Sequence, residues 1–289
     1  MIKELRWEYP LRVLCRVLGV STSGYHAWLR RVPSERARSR ERLKLAVQAA
    51  HARTRQTYGA RRLQRELAAD GFVASLGTIR RVRRELGLCC VQRKRRFRVA
   101  TTDSRHSLAV APNLLAQDFT AAHPGEVWTA DITYVPTEEG WLYVAALKDL
   151  FAGEIVGRSF GGRMTTELVV RAFEQAVSAR RPAEGLMHHS DRGSQYCSHE
   201  YRKLLASYGM RVSMSRKGNC YDNAPIESFW GTLKTELVHH RRYRTRAEAA
   251  REIAEYIDLF YNRQRRQARL GYLSPVAYTQ LFTRQRAAA

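Results

Sequence analysis

Residues 126–160, EVWTADITYVPTEEGWLYVAALKDLFAGEIVGRSF, decide the fold. The stretch holds three β-rich runs, separated only by turn signals at Glu139-Gly140 and Ala152-Gly153. Three consecutive hairpin-connected strands are expected from that pattern. Beyond them, residues 165–180 place Leu168, Val169, Ala172, Phe173 and Ala176 on one helical face. A short strand then ends at Asp191 in GLMHHSD. A helix follows over 198–209, a fifth strand over MRVSMS, and a helix over NAPIESFWGTLKTEL.

The order β-β-β-α-β-α-β-α implies an α/β core of RNase H-like type, a mixed five-stranded sheet flanked by helices. A doubly wound sheet would alternate strand and helix from its first strand. Three acids stand at telling places in this frame. Asp131 lies inside the first strand, Asp191 follows the fourth, and Glu227 opens the last helix, with 35 residues between it and Asp191. Carboxylates brought within about 4 Å repel by roughly 4 kcal/mol per pair at an effective dielectric of about 20. Such a trio makes sense around hard cations, Mg²⁺ or Mn²⁺. Two ions would clamp the attacking and leaving oxygens of a phosphoryl displacement. Any one of the acids could equally be structural; all three together at these positions argue for a site. Asn223, before Pro225, reads as the cap of the Glu227 helix. Trp128, Trp141, Phe229 and Trp230 read as core, and His188, His189, Cys197 and His199 as a chance grouping rather than a metal set.

Charge points to the substrate. Lys and Arg total 50 against 27 Asp and Glu in 289 residues. Residues 1–110 hold 26 of those cations and 8 of the acids, so the front of the chain is the electrostatic footprint for nucleic acid. Five cysteines at scattered spacings fit reduced thiols, not a disulfide framework. No apolar run reaches 18 residues and the N-terminus lacks a signal-peptide pattern, so no membrane and a cytoplasmic, bacterial setting are expected.

The front third is helical. Residues 9–31 read as helix, Gly19 turn, helix, with Ser21 as cap and Tyr25, Trp28 and Leu29 as an apolar stripe. That is a helix-turn-helix pattern, although a plain helical hairpin reads the same way. Ser34 caps a connecting helix to about His51. Residues 59–88 form a second unit, in which Ile79, Val82 and Leu86 share a face while Arg80, Arg81, Arg83 and Arg84 cover the others. Arginines so dense repel one another, which favours a DNA-contacting helix over an idle surface. Arg61 and Arg62 join them as candidate contacts. The basic run VQRKRRFRVATTDSRHS, residues 91–107, reads as an extended linker that orders on DNA. The loop 215–221, with Arg216 and Lys217, is expected to be flexible and to track DNA. The organisation expected is 1–56 helix-turn-helix and connecting helix, 57–110 second unit and linker, 120–240 catalytic core, and 241–289 helical tail.

Six stretches in order resemble one family: GVSTSGYHAWLRR (19–31), YGARRL (58–63), DITYVPTEEGWLYVA (131–145), HHSDRGSQYCS (188–198), MSRKGNCYDNAPIESFWGTLKTEL (214–237) and YNRQRRQARLGYLSP (261–275). The chain is similar to the OrfB transposases of the IS-three family of bacterial insertion sequences, over about Leu11 to Tyr278. Members are DDE enzymes with a retroviral-integrase-like catalytic core, and the resemblance puts the triad on Asp131, Asp191 and Glu227. It also implies that Lys234, two helical turns beyond Glu227, reaches a phosphate near the scissile bond. Two positions depart from the family pattern: Gln267 where a histidine is usual, and Gly153 where an Arg or Lys is usual.

The resemblance implies a metal-dependent enzyme that binds terminal inverted repeats, frees a 3′-OH by hydrolysis and joins it to target DNA. Two Mg²⁺ ions per active site are expected. It also implies a homo-oligomer that holds two transposon ends, with the upstream OrfA protein, or a frameshift fusion with it, as partner. The alternative is a non-catalytic helix-turn-helix regulator or an inactive transposase copy.

Overall fold

The computed structural model describes residues 1–91 and 108–288. Most of the basic run at 91–107 therefore lies outside the described residues. Two short helices, α1 (Ile2–Leu5) and α2 (Leu11–Val17), come first. Serines then mark where later helices begin. Ser21 Oγ accepts from Gly24 N at the start of α3 (Thr22–Arg30), and Ser34 Oγ from Ala37 N at the start of α4 (Glu35–Arg53). Each satisfies an N–H that the first helical turn leaves without a partner. α5 (Ala60–Ala69) ends at Asp70, and Gly71 takes the left-handed conformation (φ 82°) that stops it. Ser75 Oγ then caps α6 (Leu76–Glu85) through Thr78 N.

β1 (Val127–Thr137), β2 (Gly140–Asp149) and β3 (Ile155–Gly161) form the expected antiparallel meander. α7 (Thr166–Arg180) covers one face and buries the five residues its periodicity marks. It crosses to β4 (Met187–Ser190), which pairs parallel with β1. Then come α8 (Ser194–Cys197), α9 (His199–Ser207) and β5 (Arg211–Met214), the last parallel to β4. The sheet order is β3-β2-β1-β4-β5. A 3-10 turn, Cys220–Asn223, leads into α10 (Ala224–Glu236). α11 (Arg246–Glu255) continues into a π-helical turn, Tyr256–Tyr261, where the sequence reads as one uniform helix. α12 (Pro275–Ala288) closes the chain.

The two faces of the sheet carry separate cores. Trp128, Ala130, Ile132 and Leu147 pack with α7 and α9. Val135, Val144 and Ala146 face the other way, onto α10, α11 and the π-turn. That second core continues without a break into Val47 of α4, Leu63 of α5 and Ile79 of α6. Tyr58 joins the two parts: its hydroxyl donates to Gln264 O (3.1 Å) and accepts from Arg266 N (2.6 Å). Trp141 departs from its core reading. It is exposed near the hairpin tip, edge-on to Tyr134.

Candidate active site

Strand pairing brings the first two acids together. β1 and β4 run parallel with Ala130 opposite Ser190, so the next residues lie side by side, Asp131 within β1 and Asp191 just past the end of β4. Neighbouring strands lie about 4.8 Å apart, close enough for two carboxylates to share an ion. Asp131 is half-buried and sits on the face covered by α10, where Trp230 Nε1 donates to its Oδ2 at 3.0 Å. Asp191 Oδ1 accepts from Gly193 N at 2.9 Å, which shapes the turn after β4, and Arg192 Nε ties that turn to Ser215 O. Glu227 lies exposed in the first turn of α10, where the helix dipole favours a carboxylate.

The three charges feel one another. The Asp131 carboxyl is held well above the usual carboxylate range, by burial first, then by Asp191, then by Glu227. Among the described residues no group of three or more His, Cys, Asp or Glu stands drawn together to hold a metal ion. The arrangement is an open, mutually repelling set of hard oxygen donors, and that is the chemistry a divalent cation fits. Lys234 reaches the same place: it is half-buried, its Nζ stands 4.7 Å from the centre of the Tyr134 ring, and it is pulled by the charge of Asp131. Burial is the larger influence and lowers its pKa.

Asn223 departs from the capping role. It stands at the cap position, yet its side chain bonds no helical N–H; its Nδ2 donates to Ala130 O (3.2 Å), and its Oδ1 is buried without a partner. Two further residues escaped sequence reasoning. Trp230 reads as core but holds Asp131; its position three residues after Glu227, on one helical face, was the signal that could have found it. Tyr196 is buried beside both aspartates, and its pKa is raised by burial first and then by Asp131. His188 and His189 are structural: one meets the Tyr201 hydroxyl, the other lies between the hydroxyls of Ser213 and Ser215.

The candidate DNA residues divide. Arg61, Arg80, Arg81, Arg84 and Lys217 are exposed. Arg62 turns inward over the Tyr58 ring, with Arg265 and Glu236 nearby, because α5 packs against the tail there. Arg83 is half-buried and donates to Cys90 Sγ. Arg216 is paired with the buried Asp222 at 3.0 Å. Asp222 also accepts from Asn113, Gln117 and the Arg216 N–H, so the 215–222 loop is fastened at its base. The two departures from the family pattern meet at one side chain: Arg269 bonds Gln267 Oε1 at 3.3 Å and occupies the space that a Cβ at Gly153 would need.

Residues 121–220 and 227–281 match families described as integrase core domain, and residues 38–96 match an HTH-like domain. The chain is 55% identical over 269 residues to an uncharacterized 31 kDa protein of insertion element IS600 from Shigella sonnei, covering 93% of this chain and 98% of that one. It is 39% identical over 276 residues to the transposase InsF for insertion sequence IS3A from Escherichia coli K12, covering 95% of each. Among solved structures, the HTLV-2 integrase catalytic core domain aligns over 55% of this chain and 99% of its own, at 16% identity and a TM-score of 0.44. The chain belongs to the IS3 family of transposases, DDE polynucleotidyl transferases with an integrase core and an HTH-like region.

Proposed function

We propose that Asp131, Asp191 and Glu227 are the catalytic carboxylates of this transposase and bind two Mg²⁺ ions between them. The observation that carries the reading is the parallel register of β1 and β4, which sets the two aspartates side by side under the helix that bears Glu227. When bound, the ions supply the charge that stabilises the attacking and leaving oxygens of an in-line displacement. The chain's own residues do the rest. Trp230 fixes the aim of Asp131, and Lys234 offers a cation to a phosphate beside the scissile bond. In the first step water cleaves a transposon strand and frees its 3′-OH; in the second that hydroxyl attacks a target phosphodiester. Both steps are direct displacements, so no residue need form a covalent bond to DNA.

End recognition falls to residues 1–110, with Arg61, Arg80, Arg81 and Arg84 as exposed phosphate or base contacts. Lys217 meets DNA nearer the chemistry. Arg62, Arg83 and Arg216 serve instead by packing and by fastening a loop. Terminal inverted repeats are the DNA recognised, and a homo-oligomer holds two of them, with OrfA or a frameshift fusion as the further partner. Among the described residues no helix is long and apolar enough to cross a membrane; the cytoplasm, where the chromosome lies, is the setting proposed.

A strand-cleavage and joining assay on labelled inverted-repeat DNA tests the reading, run with Mg²⁺, Mn²⁺, Ca²⁺ and no metal. Asp131→Asn, Asp191→Asn and Glu227→Gln should each lower cleavage by about 10³-fold or more while leaving end binding intact. Cleavage at the normal rate by any of the three removes that residue from the triad.

A further inference from the structure

We propose that Lys148 is a positioning residue for strand transfer: its ammonium ties the first turn of the Glu227 helix to β2 and so sets the aim of that carboxylate. The proposal rests on the triad reading above. Lys148 pairs across the sheet with Thr129, two residues before Asp131, and therefore sits on the same face of the sheet as that acid. β3 slips register opposite Leu147 and Lys148, passing from Gly157 to Ile155. The extra residue, Val156, belongs to β3, and Lys148 keeps its regular pairing with β1. The lysine is 8% exposed, and its Nζ donates to Pro225 O at 2.6 Å, two residues before Glu227.

The electrostatic setting makes a purely stabilising role a poor account. The charged groups that face the ammonium are Arg269 and Arg265, both cations, and with burial they hold its pKa down to about 7. Among the described residues no carboxylate pairs with it; a buried cation so placed costs stability, and an apolar side chain of similar length would fill the space at less cost. What the lysine adds is the bond to Pro225. Gly153 makes room for it, since a Cβ there would press on the Lys148 stem and collide with Arg269.

A second tie meets the same turn from the neighbouring strand. Asn223 Nδ2 donates to Ala130 O, one residue before Asp131. The turn that carries Glu227 is thus bonded to β2 through Pro225 and to β1 through Asn223. At the far end of α10, Arg265 grips Glu236 at 2.7 Å and Tyr256 donates to it. Glu227 projects from this first turn of α10, so where the turn is held bears directly on the aim of its carboxylate. A displacement of about 1 Å in such a group can cost roughly 10²-fold in rate.

Lys148→Met keeps the length and removes the donor. In the full chain we expect a Tm equal to or above wild type and unchanged binding of transposon-end DNA in EDTA. Mg²⁺-dependent cleavage should fall about 10- to 100-fold. The Mg²⁺ concentration needed for half of the metal-induced Tm rise should increase several-fold, and Lys148→Arg, which keeps a donor, should restore part of both. A wild-type rate and metal response in folded Lys148→Met overturns the proposal, as does a rate loss that merely follows a fall in Tm. If Lys148→Met does not fold, Asn223→Ala decides, because loosening the same turn from β1 must separate rate from Tm in the same way. Glu227→Gln run alongside keeps the two readings apart. A cleaving Glu227→Gln sinks the triad; a dead Glu227→Gln beside a fully active Lys148→Met sinks only the positioning role.

Discussion

The helix pairs α2–α3 and α5–α6 share a signature of apolar stripe, turn and arginine-rich surface, yet they lie in different surroundings. α1, α2 and α3 pack chiefly on one another, and Trp7 and Trp28 remain 80% and 59% exposed. Leu63, Leu67, Ile79 and Val82 of α5 and α6 are wholly buried, in a core that runs on into β1, β2, α10 and α11. Ion pairs cross the same junction, Arg266 with Glu66 and Arg55 with Glu255. That contrast decides where DNA can be held in register with the chemistry. A duplex gripped by α6 is fixed relative to Asp131 because the two elements share one packed interior, which transmits position stiffly. A duplex gripped by α3 is not.

The sharpest way to break this contrast is to hollow out the shared core. Ile79→Ala should cost about 2–5 kcal/mol and lower the single unfolding transition of the α4–α12 body, whereas Trp28→Ala should stay within about 0.5 kcal/mol. Denaturant unfolding followed by tryptophan fluorescence and far-UV dichroism reads both. A separate early transition in Ile79→Ala, with the sheet untouched, would mean that α4–α6 are only docked.

Acid tests the same cooperativity from the sheet side. Burial depresses His188 to about 3 and His189 to about 4, so both stay neutral in the fold while the unfolded chain takes up protons below about 6.5. The unfolded state then holds the extra protons, and stability falls as pH drops from 6.5 toward 4, by on the order of 3 kcal/mol from His189 alone. Above pH 6.5 the effect is absent. Hydrogen exchange should show α6 losing protection together with β4; α6 protected at a pH where β4 has opened would contradict one shared body.

Much of this body was legible in the chain. β-rich runs parted by turn signals marked β1, β2 and β3, the five-residue stripe marked α7, and Asp131, Asp191 and Glu227 could be placed on strand, strand end and helix start from their neighbours in sequence. The misses share one physical cause: the deciding partner is distant in sequence. Arg62 and Arg83 read as DNA contacts, and nothing in their local sequence shows that Tyr58 and Cys90 pack against them. Asn223 looks like a cap because caps are local, whereas its partner Ala130 lies 93 residues away. The π-turn at Tyr256–Tyr261 has no period of its own to read. It is held by what it meets, as when the next residue, Asn262, bonds both backbone groups of Ile155 and so occupies part of the open edge of β3.

A smaller perturbation sharpens the junction itself. Tyr58→Phe keeps the ring in the shared core but leaves the half-buried Arg266 N–H without its acceptor. A loss of about 0.5–1.5 kcal/mol is expected, the net worth of such a hydrogen bond. Because the burial of Tyr58 also raises its phenol pKa, the wild-type hydroxyl stays protonated throughout neutral pH, and the difference between the two proteins should not vary from pH 6 to 8. A stability equal to wild type would mean that Tyr58 joins the two parts by its ring alone.

The smallest effect on stability falls on the surface that gives the contrast its purpose. Arg80→Ala, Arg81→Ala and Arg84→Ala remove exposed side chains and should each change unfolding free energy by less than about 0.5 kcal/mol. Arg83→Ala should behave in the opposite sense, since its guanidinium is half-buried and bonds Cys90 and Leu88. On DNA the order reverses. For each phosphate left without its cation, the slope of log affinity against log salt falls by about one, so the three exposed variants should flatten that slope while Arg83→Ala leaves it alone. Binding measured at several salt concentrations separates them. If Arg83→Ala flattened the slope as much as its neighbours, α6 would have to rotate or unpack to meet DNA. The rigid link between end recognition and the carboxylates would then form only in the complex.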